Sequence, residues 1–551
     1  MTSAHAETDA RPMRRGVDVW SILAVVIAAL VLLPLVAVVT IALFPSENIW
    51  PHLMATTLPR YLSTTFWLMA GVGLICAAAG TGAAWLVTMH DFPGRRWLQW
   101  ALFLPLAVPA YVGAYALVDF LEYAGPVQGA LRAAFGWESA RDYAFPQIRS
   151  LGGAIVVLSA ALYPYVYLLA RAAFREQSSD AFDVARALGA GPLSRFFRVG
   201  LPLARPAIAV GVAIAMMETV NDFGTVDFFA VQTLTRGIFS VWLEQNNRGG
   251  AAQLSLVILG VVLGLALIER AGRKRAKRFR LSRQTRPVMP VRLAGVSGWI
   301  ASAACAFPVA LGFVLPVSVI GWHAMGAKAD WSEPALVSAL VNTLTVGGIA
   351  SIVTILAALL MVYGVRLAGR GLPRLLLPVT LIGYAAPGAV LGVGVLIPLA
   401  SFDNALADAI FAATGVDPGL LLTGTAAALI YAYAVRFFAI AQGAADAAMG
   451  QVSPSLPMAA RSLGRSAGGT LRTVYVPLIR GSIGTALLLV FVDCVKELPA
   501  TLLLRPFNFD TLATRTHETA SLENLAGAAP PALMICAVGA VAVIFLARAN
   551  R

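Results

Sequence analysis

The chain has 551 residues, of which 59% are hydrophobic and 13% charged, and a formal net charge of +13. So little charge excludes an ordinary soluble domain, and repeated apolar runs of ~18 or more residues mark an all-α polytopic membrane protein. In a soluble chain the basic excess would point to nucleic acid; here its distribution gives it another role.

Residues 1–17 read as a polar cytoplasmic tail carrying Arg11, Arg14 and Arg15. The apolar run that follows is too long for a signal-peptide core and reads as a first span. Spans are expected at 18–43, 63–88, 97–121, 150–171, 206–225, 252–269, 296–321, 338–364, 375–400, 421–441, 481–497 and 530–547, each near the ~20 residues that cross a ~30 Å hydrocarbon core. Of the 41 Lys and Arg, thirty fall in segments this topology makes cytoplasmic and eight in outer segments, while Arg149, Arg436 and Lys496 lie in or at the ends of spans. The asymmetry puts both termini in the cytoplasm.

Between spans six and seven, Arg270–Arg292 is the most basic stretch of the chain. It reads as part of a cytoplasmic linker, 270–295, held near anionic headgroups, so no nucleic-acid partner is needed. The linker divides the chain into units 18–269 and 296–551. The units repeat: FLPLAVPAYV at 103–112 and VTLIGYAAPGAV at 379–390 each place a Pro early in a third span, and Tyr163-Pro164-Tyr165 and Tyr431-Ala432-Tyr433 sit similarly in the fourth spans. Both units run from cytoplasm to cytoplasm, so the repeat is parallel, with a pathway expected between them.

The sharpest repeat is polar. Asp183–Pro202, DVARALGAGPLSRFFRVGLP, recurs 275 residues later at Met458–Pro477, MAARSLGRSAGGTLRTVYVP. From Ala185 to Ile208, nine of 24 positions are identical to the second copy. Each copy lies between spans four and five on the positive side. Ala181–Gly189 predicts a short helix ended by Gly, with Ala185 and Gly189 as a small-residue packing surface. Pro202 and Pro477 are expected to start the next spans. A duplicated loop of this kind suits docking to a two-fold cytoplasmic partner.

The spans after these loops carry acids. Glu218 and Asp222 are four apart, which puts them on one helix face, and Asp493 and Glu497 repeat the pair 275 residues on. Lys496 is three from Asp493 and within reach of it. Ionisable groups at membrane depth face the bundle interior or a wet cavity, so these five residues are expected in a translocation pathway or gate. Carboxylates suit a hard cation, but a pathway must release its cargo, so no stable metal site is expected. The four cysteines lie in apolar runs without metal spacing and read as core. Of the five histidines, His5 is in the tail, His90 beside a cytoplasmic loop, and His52, His323 and His517 read as solvated outer-loop residues.

The repeated loop resembles the signature E-A-A-x3-G-x9-I-x-L-P of the permease subunits of bacterial ABC importers. It appears as Asp183-Val184-Ala185, Gly189, Val199, Leu201, Pro202 and again as Met458-Ala459-Ala460, Gly464, Val474, Val476, Pro477. Asp183 and Met458 depart from the usual Glu, which weakens any contact that needs that carboxylate. The resemblance covers essentially the whole chain as two fused units and implies the type I importer permease fold, with about 12 transmembrane helices in two parallel six-helix repeats. Glu218–Asp227 and Val495–Thr514 look like the fused permeases of ferric-iron importers. Thiamine permeases share the fused architecture and are the alternative.

The chain has no G-x-x-x-x-G-K-[ST] phosphate loop. The resemblance accordingly implies that ATP and Mg bind elsewhere, on a homodimeric ATP-binding subunit on the cytoplasmic side, that a periplasmic solute-binding protein delivers cargo, and that the chain is a transport subunit of the inner membrane with no cofactor of its own. A major-facilitator-type secondary transporter also has two parallel six-span halves and a basic linker. His90–Arg96 only superficially resembles that class's loop, and the repeated motif lies between spans four and five instead.

Overall fold

A computed structural model of the chain describes residues 19–277, 289–326, 329–368, 372–380 and 386–549. The tail 1–17, the middle of the basic linker and part of the 379–390 repeat lie outside the described residues. Eleven described helices are long and apolar enough to cross a membrane, and a bent pair, Arg95–Ala107 with Ala110–Phe135, makes a twelfth. The pair turns by 96° because Val108 and Pro109 take extended ψ values of 118° and 142° and Pro109 has no N–H to carry the helix on. Pro387 does the same before Gly388, with ψ 149°. The early prolines in the third spans are therefore breaks.

The first half contains α1 (Val19–Leu43), α2 (Leu58–Met89), strand β1 (His90–Asp91), α3 (Ala110–Leu121), α4 (Leu151–Arg175), the short α5 (Ser179–Ala187), α6 (Pro192–Asn221), the short α7 (Gly224–Phe228) and α8 (Leu234–Phe239), and α9 (Arg248–Lys277). The second contains strand β2 (Val291–Arg292), α10 (Val296–Met325), α11 (Pro334–Ala368), α12 (Gly388–Thr414), α13 (Ala426–Gly450), the short α14 (Ser455–Ser462), α15 (Ala467–Val495), the short α16 (Pro499–Leu504) and α17 (Leu512–Ser521), and α18 (Leu525–Ala549). Helix α9 runs on to Lys277, so the linker begins as a continuation of the sixth span. β1 and β2 pair in parallel, His90 with Val291 and Asp91 with Arg292.

The repeat is structural as well as textual. Helices α4 and α13 are both 25 residues long, begin 275 residues apart, and are capped by Ser150 and Thr425, whose side chains accept from Gly153 N–H and Ala427 N–H. Both halves also exchange their first helices. α1 packs on α9 of its own half and on α11 and α12 of the other, while α10 packs on α18 and on α2 and α3. Glycines allow the close approach: a Cβ at Gly364 would overlap the Trp20 carbonyl, one at Gly394 the Pro34 carbonyl, and one at Gly312 the Ala160 carbonyl. Tyr431 adds a hydroxyl bond to the Leu30 carbonyl at 2.7 Å.

Pro202 and Pro477 stand in the first turn of the α-helical stretches Leu201–Asn221 and Val476–Val495, but the spans start earlier. α6 already begins at Pro192 and α15 at Ala467, and Pro202 and Pro477 lie inside them. Each is tolerated because a π-turn precedes it. Leu201 N–H reaches back to the Phe196 carbonyl, and Val476 N–H to Leu471. The wider turn takes up the register that a missing N–H and a bulky ring would otherwise disrupt. The same device, Leu315 N–H to Ala310, precedes Pro316 in α10.

Candidate functional site

At the ends of α6 and α15 lies a cavity of about 160 Å³ between the halves. Its charged lining comprises Glu218, Asp222, Arg436, Asp493, Lys496 and Glu497. Four carboxylates against two cations leave a formal charge of −2. Glu218 lies 26 residues along α6 from Pro192, which stands in the middle of the first repeated loop, so the cavity is ~39 Å of helix away from that residue.

Asp222 does not continue the helical face of Glu218, as the four-residue spacing predicts. α6 ends at Asn221, and Asp222 turns out with ψ 133°. Its carboxylate accepts from Thr225 N–H at 3.0 Å, the Thr225 hydroxyl at 3.0 Å and Val226 N–H at 3.1 Å, capping α7. Glu497 plays the same part in the second half, where Ala500 N–H donates to it at 3.0 Å at the start of α16. Thr225 and Ala500 are themselves 275 apart. The outer acid of each pair is thus a helix cap, and the inner acids, Glu218 and Asp493, are not committed to one.

The cations come from the second half alone. Lys496 Nζ sits 2.7 Å from Asp493, the partnership that a spacing of three allows. Arg436, on α13, sits 3.1 Å from Glu497, with the two side chains only 12% and 4% exposed. The corresponding first-half positions are Asn221 and Ala161, and both line the cavity. A Cβ at Gly388 would overlap both Arg436 and Glu497, so this glycine makes room for the ion pair.

Beside the cavity, α7 and α17 join the halves. The Tyr115 hydroxyl lies 2.7 Å from His517 Nδ1, and His517 Nε2 lies 3.7 Å from Asp227. Arg236 pairs with Asp227 at 3.0 Å. His517 is 7% exposed; it is a buried interface residue and not the solvated loop histidine its sequence position suggests. His323 is likewise engaged, 2.9 Å from Asp119.

At the other end of the bundle, α5 and α14 end in the same way. Ala190 N–H donates to the Ala185 carbonyl and Gly189 N–H to Arg186, both at 2.9 Å; Arg465 N–H donates to Ala460 and Gly464 N–H to Arg461, both at 3.0 Å. These are Schellman closures, which require a left-handed residue, and Gly189 and Gly464 have φ +78° and +83°. Among the described residues, nothing beyond the adjoining chain lies within 4 Å of a Cβ built on either glycine. Their first requirement is therefore conformational, where the sequence suggests close packing. Leu188 and Leu463, one residue earlier, are 82% and 84% exposed, and Met458 is 65% exposed. Asp183 and Ala459 are exposed as well, and Ala185 and Ala460 are half-buried.

Residues 69–278 match the family model of the binding-protein-dependent transport system inner membrane component. The chain is 25% identical, over 88% of its own length and 89% of the other's, to the Fe(3+)-transport system permease protein FbpB 2 of Haemophilus influenzae. The chain is a fused ABC importer permease. The molybdenum transport system permease protein ModB of Escherichia coli is 29% identical over 35% of this permease and 86% of its own length. The sulfate transport system permease protein CysT of Synechocystis sp. is 27% identical over 45% and 86%. The permease has the type I importer fold, belongs to the inner membrane as a multi-pass protein, and is a transport subunit and not itself an enzyme. Its family works with a periplasmic binding protein and ATPase partners.

Three features of the permease site were not singled out from sequence. Arg436 was visible as a cation inside a span, a costly placement that signals a partner. Capping by Asp222 and Glu497 had a local signal too, since each carboxylate stands three residues before the N–H it accepts from. His517 carried no signal, because its partners Tyr115 and Asp227 lie in the other half.

Proposed function

We propose that this permease carries ferric iron, delivered by a periplasmic binding protein, through the gap between two units, 18–269 and 296–551, joined by the linker 270–295. The acidic cavity carries this reading. A formal charge of −2 at membrane depth attracts a hard cation and repels a dianion such as molybdate or sulfate, the cargoes named for other relatives. The ferric name of a relative matching 88% of the chain points the same way.

In this reading both termini and the loops around α5 and α14 are cytoplasmic. The loops, through Asp183, Ala185, Gly189 and Pro202 and through Met458, Ala459, Ala460, Gly464 and Pro477, dock on a homodimeric ATP-binding subunit that holds ATP and Mg. Closure of that dimer moves α5 and α14, and the long rigid α6 and α15 carry the displacement to the cavity. Glu218, Asp222, Asp493, Lys496 and Glu497 form the pathway or its gate.

The test is uptake by the complex reconstituted in proteoliposomes, with ferric iron, thiamine, molybdate and sulfate offered in turn. ATP-dependent accumulation of iron is expected. Accumulation of thiamine or an oxyanion in its place would reassign the cargo, and transport without any ATPase would overturn the coupling scheme.

A further inference from the structure

A second, larger cavity of about 510 Å³ lies beneath α5, within the ~300–1,000 Å³ typical of small-ligand pockets. Its aromatic wall is Trp85 and Phe182, with ring centroids 5.9 Å apart, backed by Phe174 and Phe196 at 5.3 and 5.0 Å from Trp85. Its charged lining is Arg186, Arg195 and Asp183, and His90 also faces it. Arg195 Nε and His90 Nδ1 are buried and have no hydrogen-bond partner among the described residues. Neither arginine forms an ion pair among the described residues. Burial, and then the charge of Arg195, hold the His90 imidazole below its ordinary range, so at neutral pH it offers a neutral ring beside the guanidinium.

A buried donor without an acceptor is costly, the more so when it is charged, and the cavity leaves room for what would satisfy it. The arrangement is not a by-product of the repeat. Positions equivalent to Phe182 and Arg195 are Pro457 and Thr470, and only Arg186 has a matching arginine, Arg461. Guanidinium forks match phosphate oxygens in charge and geometry, and the cavity is lined by Met89, the last residue of α2, where that candidate span ends. We propose that this cavity binds a phosphate-bearing anion, held by Arg186 and Arg195 against the Trp85–Phe182 wall. The phosphate comes either from an anionic phospholipid headgroup or from a free phosphate. Because Phe182 belongs to α5, the occupant ties the loop helix to the membrane body.

The test uses the full purified chain in phosphatidylcholine nanodiscs and reads the midpoint of thermal unfolding, with no transport or ATPase activity required. Its outcome is therefore independent of the transport reading. Inorganic phosphate is titrated against chloride at equal ionic strength, and separate discs include phosphatidylglycerol. A saturable upward shift with phosphate assigns the free anion, and a shift confined to phosphatidylglycerol discs assigns the headgroup. Either shift should be lost in R186Q/R195Q. Arg195→Lys, which keeps the charge and loses the fork, should weaken the half-saturating concentration several-fold and serves if the double variant fails to insert. No shift under either condition, or an equal shift in the variants, overturns the proposal.

Discussion

Arg436 Nε lies 3.1 Å from Glu497 in the second half, while the corresponding residue of the first half is Ala161 and Asp222 has backbone and hydroxyl donors in place of a cation. Two carboxylates in equivalent positions are thus held by different means. Removing Arg436 as Arg436→Met leaves Glu497 uncompensated and should cost ~3–5 kcal/mol. R436M/E497Q keeps an acceptor for Ala500 N–H and removes the stranded charge, so it should recover most of that loss. Thermal unfolding in detergent, as a double-mutant cycle, reads both; additive losses would show that the pair is not coupled.

Glu218 and Asp493 are the inner acids, free of capping duty. Neutralising both as E218Q/D493N should lower ferric uptake about tenfold, equivalent to ~1.4 kcal/mol of barrier; D493N also removes the 2.7 Å partner of Lys496 and should lower stability, so E218Q alone is the variant expected to leave the unfolding temperature nearly unchanged. Uptake equal to the parent across iron concentrations would remove them from the pathway. D222N and E497Q are less clean tests, since each also alters a helix cap; their uptake losses should come with lowered stability.

At Gly189 and Gly464, φ values of +78° and +83° make any β-branched residue strained, by ~1–2 kcal/mol for an L-residue in this region. G189V/G464V should insert normally but lose stimulation of the ATPase by the cargo-loaded binding protein. Full stimulation and uptake in this variant would sink the docking role of the loops. Leu188→Asp and Leu463→Asp, which leave the backbone intact, should uncouple in the same assay if the exposed leucines are the contact.

His517 makes the junction between halves sensitive to acid. Burial lowers its basicity, with Asp227 opposing in part. A histidine held below its unfolded value of ~6.5 favours the folded state above that pH, and the contribution is lost as pH falls and the unfolded chain takes up the proton first. Unfolding midpoints should therefore drop between about pH 7 and 5, and His517→Gln should flatten that slope. An unchanged slope would place the acid sensitivity elsewhere.

Much of this was legible locally. Apolar runs gave the spans, the 275-residue offset gave the repeat, and Gly189 and Gly464 marked helix ends by the chemistry that requires them. What failed were inferences that assumed a regular helix. Carrying the helix one residue too far puts Asp222 on the face of Glu218, and taking Pro202 and Pro477 as span starts misses the π-turns that run into them, which leave no simple mark in sequence. Contacts between elements distant in sequence were harder still. Arg436–Glu497 joins α13 to the end of α15, Tyr115–His517 joins α3 to α17, and periodicity within one segment contains neither.

The exchange of first helices sets the order in which the molecule can be completed. α1 leaves the ribosome first, but its seats on α11 and α12 begin at Pro334 and Gly388. Until those segments are inserted, the face of α1 that will meet Gly364 and Gly394 has lipid for a neighbour. The first half therefore cannot mature as a finished unit while the second is being made, and assembly waits on contacts between the two ends of the chain.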